Sequence, residues 1–433
     1  IHLSALNKKI ILSLSAFCAI QAQIDIAGEL NPYVMTRTSD RSQINLPFRL
    51  LSLDASYSFE SFDFKTVSGM EYRYSTSQYS VELREAYLAF YPEWGEVKVG
   101  KQIHSWGAAD AVNPTDNLNP YDYYYMLKAG AGKKIGMLSM SSVLYRENFQ
   151  VELIVSPNHE PNRIPYGEKD FPLAVEQKPL IENQIKDEME AGIRFQTSLV
   201  GSDISFSYFM GNDRMPSVHS VFSPKDPTAN SKFNLGYRKT TVFGSDFVTF
   251  IGDLTIRAEG AVYNTKSGST DDEILSDNYF ALNQDVTYSQ YVIQLEYTTA
   301  ADIMISGQFI GSSTIDETNQ WFSPKKPSYK IDFIPILPFS PGMGTPLAMF
   351  TNKAALISSS GVMMDDQLEL SGSLMINLNE SGSMLSATIG YSPILNWKFE
   401  LATTQFQGNA DQLNPFTLMQ DFNHVRMGIM YNF

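Results

Sequence analysis

The chain ends with Met427-Gly428-Ile429-Met430-Tyr431-Asn432-Phe433. Val425 and the odd-numbered residues that follow it are apolar or aromatic, and in a strand they share one face, whereas Arg426 and Asn432 lie on the other. A strand with one apolar and one polar face is the unit from which transmembrane barrels are built. A half-buried strand of a soluble protein has the same alternation, so the rest of the chain must decide between the two.

The first 22 residues have the order of a secretory signal peptide. Asn7-Lys8-Lys9 is a basic start, the apolar run Ile10 to Ile20 is too short to span a bilayer as a helix, and the small residue Ala22 precedes the expected cleavage point. The alternative is a buried helix that opens a cytoplasmic domain. We expect a cleaved signal peptide at 1–22 and a single barrel domain at 23–433. Cys18, the one cysteine, lies within this leader, which would leave the mature chain without disulfides.

Composition narrows the class of protein. The formal net charge is −15, which argues against nucleic acid as a partner. An acidic surface suits lipopolysaccharide bridged by divalent cations, although a soluble acidic protein would look the same. No stretch after residue 22 has the apolar length of a membrane helix, so any crossing of a membrane must be made by strands.

Alternating segments separated by turn residues recur along the whole mature chain. They predict an all-β, antiparallel, up-and-down transmembrane barrel of about eighteen strands, with sixteen as the alternative. The predicted strands are 24–36, 47–58, 62–75, 79–91, 95–105, 136–146, 149–157, 189–200, 202–211, 236–250, 254–264, 286–299, 302–311, 352–363, 366–377, 383–393, 395–407 and 423–433.

The connections between these strands are of two kinds. Every second connection is a tight turn, as at Glu60-Ser61, Gly201 and Gly252-Asp253. Most of the others are long: 106–135, 158–188, 212–235, 265–285, 312–351 and 408–422. Short periplasmic turns and long extracellular loops are typical of outer-membrane barrels, and a soluble sandwich has no reason to segregate its loops in this way.

The charged face of each strand must look into a lumen, because a charge at the bilayer midplane costs about 2–4 kcal/mol. The candidate lumen-facing residues are Lys98, Gln102, His104, Arg73, Arg194, Arg257, Glu259 and Arg426. Charges of both signs can produce a transverse field across a pore that sorts solutes. The alternative is that they pair with each other across neighbouring strands and remain satisfied around water.

Motifs in the first third of the chain carry a family resemblance. They are Leu83-Arg84-Glu85-Ala86-Tyr87, Gly100-Lys101-Gln102, Trp106-Gly107 and Asn113-Pro114. The chain resembles a family of bacterial outer-membrane barrels catalogued as a domain of unknown function, which is porin-like and distantly similar to the alginate-export barrels. Lys101 departs from the arginine that is more usual there. The resemblance implies a barrel with a transport role in the outer membrane, and it carries over no binding residue.

The final strand also resembles the C-terminal strand of bacterial outer-membrane proteins. The resemblance implies that Tyr431 and Phe433 form part of the signal read by the barrel-insertion machinery, which would be one partner. Outer-membrane lipid and lipopolysaccharide would be others. Barrels of this size occur as monomers and as trimers, so a homo-oligomer stays open.

The connection 106–135 is the candidate constriction. It combines Asn-Pro and Gly bends, which make rigid turns, with a run of tyrosines and acids. Folded inward, rings could stack on solutes and carboxylates could attract cations. The alternative is an external loop that shields the barrel mouth. The candidate constriction residues are Asp110, Asp116, Tyr121, Asp122, Tyr123, Tyr124 and Tyr125.

These observations predict a porin-like channel for passive transport of small polar solutes. The first alternative is an export component that passes a lipid or polymer outward with a periplasmic partner. A weaker one is a surface receptor or adhesin that binds through 158–188 and 312–351. We expect no enzyme, cofactor or metal site, because the histidines are scattered and lack the spacing of metal ligands.

Overall fold

The structure, a computed structural model, describes residues 24–171, 185, 188–222, 232–267, 279–322, 338–346, 350–412 and 414–433. The predicted signal peptide, 1–22, lies outside the described residues, as do parts of the predicted long loops. No helix within the described ranges is long and apolar enough to cross a membrane.

Antiparallel strands make up nearly all of the regular structure. They are β1 (Ile24–Leu30), β2 (Tyr33–Arg37), β3 (Phe48–Phe59), β4 (Phe62–Arg73), β5 (Gln78–Phe90), β6 (Gly95–Gln102), β7 (Met137–Tyr145), β8 (Phe149–Ser156), β9 (Glu190–Leu199), β10 (Ser202–Asn212), β11 (Ser217–Phe222), β12 (Lys232–Gly236), β13 (Lys239–Ile251), β14 (Leu254–Lys266), β15 (Tyr279–Thr298), β16 (Met304–Phe322), β17 (Lys353–Met363), β18 (Leu368–Asn377), β19 (Gly382–Ile394), β20 (Trp397–Gly408) and β21 (His424–Asn432). The short helices are a 3₁₀ turn at Tyr123–Tyr125, another at Gly130–Lys133, the α-helix α1 (Pro415–Leu418) and a 3₁₀ turn at Met419–Phe422.

These strands form a closed barrel of 18 crossings, which confirms the predicted fold. The first crossing is β1 continued by β2, and β10 with β11 and β12 with β13 make two more composite crossings. Closure is made by β21, which pairs with β20 on one side and with β1 and β2 on the other. Every predicted strand matches one of these crossings.

The two faces of each strand differ as predicted. On the outer face, Leu385, Ile389 and Leu401 are 48, 46 and 44% exposed, as lipid-facing side chains must be. On the inner face, Tyr263 and Gln294 are fully buried. The core of this protein therefore lies within the barrel, where loops fill part of the lumen.

Three local features depart from the predicted boundaries. Strands β15 and β16 run well past residues 286 and 311, and β11 with β12 forms a hairpin within the predicted loop 212–235. These extensions project beyond the bilayer, where no lipid selects an apolar face, so the alternation that predicts strands is weak there. Arg84 is the extra residue of a bulge in β5, opposite the step from Val67 to Ser68.

Closure at the final residue generates a prediction. Phe433 exchanges two backbone hydrogen bonds with Gly28, of 2.8 and 3.0 Å, and its ring occupies the space that a side chain at position 28 would need. We expect Gly28→Leu to cost about 1–3 kcal/mol through overpacking and to lower the folded fraction on heat-modifiable gels. Gly260→Ala is the matched control, because a Cβ at Gly260 meets no atom within 4 Å. Equal folded fractions for the two variants would contradict this account of closure.

Candidate functional site

The connection between β6 and β7, residues 103–136, turns into the barrel, and we call it the inward segment. Its two ends are held together by Asn119. The side-chain amide of Asn119 donates to the carbonyl oxygens of Gln102 and Ile135, at 3.0 and 2.8 Å, and its oxygen accepts from the backbone N–H of His104 at 2.7 Å. The return path of the segment is therefore fixed at its base.

The Glu259 carboxylate on β14 binds the tip of the inward segment. Oε1 accepts from the backbone N–H groups of Ala108 and Ala109 and from the Asn113 side chain. Oε2 accepts from the Thr115 hydroxyl at 3.2 Å. A carboxylate bound by successive backbone amides is a strong, geometrically specific contact.

Gly107 makes this carboxylate contact sterically feasible. Its φ is +93°, in the region that favours glycine, and a Cβ there would lie 2.7 Å from both carboxylate oxygens of Glu259. The glycine of the Trp106-Gly107 motif is therefore explained by the close approach of the Glu259 carboxylate to residue 107.

Neighbouring strands add further anchors. Arg257 donates to the carbonyl oxygen of Ala108 at 3.0 Å. Gln294 on β15 accepts from the backbone N–H of Asp110 at 3.1 Å and donates to its carboxylate at 2.5 Å. The inward segment is therefore bound to a wall of the barrel far from its own two strands.

A second set of anchors holds the sides of the segment. The Trp106 indole N–H donates to Glu152 on β8 at 2.7 Å. Arg214, just after β10, donates to the carbonyl of Leu118 and pairs with Glu190 at 2.6 Å. Sequence reasoning missed Arg214 as a site residue, because it follows a strand and belongs to no alternating pattern.

Buried charges within the segment pair with each other. Lys134 forms a salt bridge with Asp116, and both side chains are almost fully buried. Lys134 also donates to the carbonyl of His104 at 2.7 Å, and the His104 ring lies 2.9 Å from the Ser139 hydroxyl. Burial, with the nearby charge of Lys134, lowers the pKa of His104 to about 3, so this histidine is neutral.

The tyrosines of the segment lie against a network of charges. Asp122 caps the Tyr123–Tyr125 turn and pairs with Arg163 at 2.9 Å, and burial raises the pKa of Asp122 to about 6. Arg163 also pairs with Glu71 at 2.8 Å, and Glu71 accepts from the Tyr125 hydroxyl at 2.7 Å. Tyr121 is buried beside them.

Tyr124 links the segment to the next long loop. Its hydroxyl donates to Glu168 at 2.7 Å, and Glu168 is also paired with Arg73 on β4. The Arg163 guanidinium lies 4.5 Å from the centre of the Tyr124 ring. Arg163 and Glu168 come from the loop 158–188, and no sequence signal indicated that this loop meets the tyrosines.

Between the segment and the opposite wall lies a cavity of about 640 Å³, which we call the chamber. Part of its wall is apolar or aromatic, with contributions from Met35, Tyr123, Met126, Phe171, Leu356, Met384 and Phe422, and serines and threonines such as Ser373, Ser386 and Thr404 line another part. Lys128 and Arg426 also line it, as do Glu29 and Glu400. Burial and the charges of Arg49 and Arg426 lower the pKa of Lys128 to about 8.

The other predicted lumen residues have partners on their own strand or on nearby strands. Arg194 pairs with Asp246 at 3.1 Å, and Arg426 pairs with Glu400. Lys98 pairs at 2.5 Å with Glu96 of its own strand. Gln102 donates to the carbonyl of Ser139 at 2.9 Å. Their positive charges therefore have nearby carboxylates.

Tyr431 and Phe433 lie on the outer face of the last strand, away from the chamber. The Tyr431 ring is 4.8 Å from that of Trp397 and 6.0 Å from that of Phe433, measured between centroids. Their predicted role in insertion stays a prediction.

A family model described as Protein of unknown function (DUF1302) matches residues 63–433. The chain belongs to this family. The match confirms the resemblance drawn from the Gly-Lys-Gln, Trp-Gly and Asn-Pro motifs. No curated protein matches the DUF1302 chain.

Solved outer-membrane porins share the barrel of this DUF1302 chain. OccK2 (OpdF) of Pseudomonas aeruginosa, solved in complex with glucuronate, has a TM-score of 0.52 at 8% identity, covering 95% of this chain and 98% of that one. OccAB3 of Acinetobacter baumannii has a TM-score of 0.51 at 9% identity, covering 95% and 99%. Identities this low establish the fold alone. An 18-strand barrel of this fold belongs in the bacterial outer membrane.

The Glu259 contact generates a second prediction. Glu259→Ala removes the acceptor of two backbone amides, and each buried donor left unpaired costs about 1–3 kcal/mol. We expect hydrogen exchange at Ala108 and Ala109 to accelerate about tenfold or more. The control is Glu369→Ala, since Glu369 on β18 pairs with Lys398 on β20 and accepts no amide of the segment. Unchanged exchange in Glu259→Ala would mean that the segment is held by its other contacts.

Proposed function

We propose that the protein is a passive outer-membrane channel for small polar solutes, with residues 106–135 as its constriction. The observation that carries this proposal is the attachment of the inward segment to Glu259, across the lumen from its own strands. A segment held on both sides narrows the cross-section available to solute and keeps the remaining path fixed. The porin fold of the solved neighbours supports the same function.

The charge arrangement supports a channel of weak charge selectivity. The lumen cations Arg194, Arg257 and Arg426 each lie beside a carboxylate, so their fields largely cancel beyond a few ångströms. A strong transverse field would require cations and acids on opposite walls instead. We therefore infer that the solutes are neutral or zwitterionic polar molecules.

We also propose that residues 1–22 are a cleaved signal peptide, that lipopolysaccharide and the barrel-insertion machinery are partners, and that the protein is not an enzyme. Within the described residues no group of three His, Cys, Asp or Glu side chains could hold a metal ion.

Single-channel conductance in a planar bilayer tests the proposed function. We expect the refolded protein to give a steady, ohmic conductance, and deletion of 112–128 to raise it, because the deletion removes the middle of the constriction. Deletion of 75–77, a turn of exposed residues outside the inward segment, is the control and should leave conductance unchanged. If neither the wild type nor the 112–128 deletion conducts, although gel migration shows both folded, the channel proposal is wrong.

A further inference from the structure

The barrel wall has a break in its hydrogen-bond ladder near the first crossing. From Ile24 to Leu30, β1 pairs with β3, and the last link is the Asn31 N–H to the Leu50 carbonyl at 2.7 Å. Pro32 follows, which has no N–H to donate. Beyond it, within the continuously described range 24–171, no backbone hydrogen bond joins β2 to β3.

The edge of β2 that does not pair with β21 is covered by the loop that joins β2 to β3, residues 38–47. The N–H of Arg37 donates to the carbonyl of Ser42 at 2.8 Å, and the N–H of Ile44 donates to that of Met35 at 2.9 Å. The other edge of β2 pairs with β21. The backbone of β2 is thus paired on both sides without β3, and no backbone hydrogen bond joins β2 directly to the start of β3.

Phe48 is the side chain that fills this break. It pairs across the ladder with Tyr72, which in turn pairs with Tyr79, a side chain 74% exposed on the outer face. Its ring also lies 4.6 Å from that of Tyr33, whose other neighbour is the lumen cation Arg426, at 5.2 Å. Phe48 is itself 3% exposed. Its ring therefore lies between that of Tyr33, which faces the lumen, and that of Tyr72, which shares the outer face with Tyr79.

The chamber reaches this break from the inside. Its lining includes Tyr33, Phe48 and Tyr74, and Tyr74 is 37% exposed. The Phe48 and Tyr74 rings stack at 5.1 Å. On the outer face of β5, Tyr79 at this height and Val81 below it are 74 and 75% exposed, an aromatic and apolar surface suited to the interfacial belt of a membrane. Phe48, packed among Tyr33, Tyr72 and Tyr74, thus lies between the chamber and the outer face of the barrel.

The chamber combines charged lumen residues, such as Glu400 and Arg426, with an apolar wall. Met35, Leu46, Met126 and Leu356 give it an apolar surface suited to a hydrocarbon chain. Lys128 points its ammonium toward the Tyr125 ring, 5.4 Å away, and has no ion pair among the described residues. A cation in such surroundings favours an anionic group of a ligand.

We propose that the break between β2 and β3 is a lateral gate closed by Phe48. Through it a single-chain amphiphile with one carboxylate passes between the chamber and the outer leaflet of the membrane. Its acyl chain lies on the apolar wall and its carboxylate on Lys128. Opening requires a new rotamer of Phe48 and breaks no ladder hydrogen bond. This route shares the chamber with the polar channel but leaves it through the barrel wall, and it goes beyond the proposed function.

Binding of dodecanoate to the refolded full chain tests the chamber. We expect Lys128→Met to weaken dodecanoate binding about tenfold in calorimetric titration, since a charge-assisted contact is lost, and to leave dodecanol binding unchanged. Lys169→Met, at an exposed lysine outside the chamber, should bind dodecanoate like the wild type. Equal dodecanoate affinity in Lys128→Met and the wild type would overturn the carboxylate site.

A cross-link tests the gate. In a Cys18→Ser background, Tyr33→Cys with Phe48→Cys permits a disulfide across the break. Oxidation should lower the uptake of radiolabelled dodecanoate by cells carrying the protein, and a reductant should restore it, with monosaccharide uptake unaffected. The control pair is Phe62→Cys with Phe90→Cys, two rings 4.8 Å apart where the ladder is intact, and oxidation there should change neither uptake.

The single variant Phe48→Ala keeps the proposal testable if the disulfide does not form. We expect it to raise dodecanoate uptake relative to the wild type while gel migration shows a folded barrel. The gate proposal is wrong if dodecanoate uptake stays at the wild-type level both in Phe48→Ala and in the cross-linked variant, with the cross-link verified by mass. Loss of monosaccharide uptake in the wild type would contradict the polar channel and leave the gate standing.

Discussion

The bilayer offers no water to a backbone amide, and the rest of this structure follows from that constraint. Eighteen crossings close on themselves through β21, so that almost every strand has a partner on each edge. The short turns need only a few residues in the left-handed region, such as Gly201 and Asn396, with φ of +77° and +70°. Beyond Asn31 no ladder joins β2 to β3, and the constraint is met differently. There the backbone of β2 forms hydrogen bonds with the loop that follows it.

The lumen places a second demand on the chain, because every charge that cannot face lipid must be satisfied inside. Ion pairs between strands meet part of it, as in Arg194 with Asp246, which reach past β10. The inward segment meets another part, because its backbone amides donate hydrogen bonds to the Glu259 carboxylate. Residues of the next long loop also contribute, since Arg163 pairs with Glu71. The same contacts that satisfy buried charge thus fix the position of the segment.

The sequence predicted the barrel well, because alternation, turn residues and unequal connections all report on the same membrane. It also placed Glu259 and Arg257 on the inner faces of their strands. It could not pair Glu259 with Ala109, which is 150 residues away, nor find Arg163, Glu168 and Arg214, because loop residues follow no period. Pro32, inside the predicted strand 24–36, was a local signal for the break in the ladder, since a proline cannot donate to it.

The central claim is that the inward segment lines the conducting path. Ala111 is half-buried in that segment and lines the chamber, so a small thiol there should be accessible to solute. The direct measurement is single-channel current through Ala111→Cys, in a Cys18→Ser background, during addition of a charged, membrane-impermeant thiol reagent. The account predicts a stepwise fall in current, absent for Ser75→Cys on an exposed outer turn. An unchanged current through Ala111→Cys, with modification shown by mass, would contradict it.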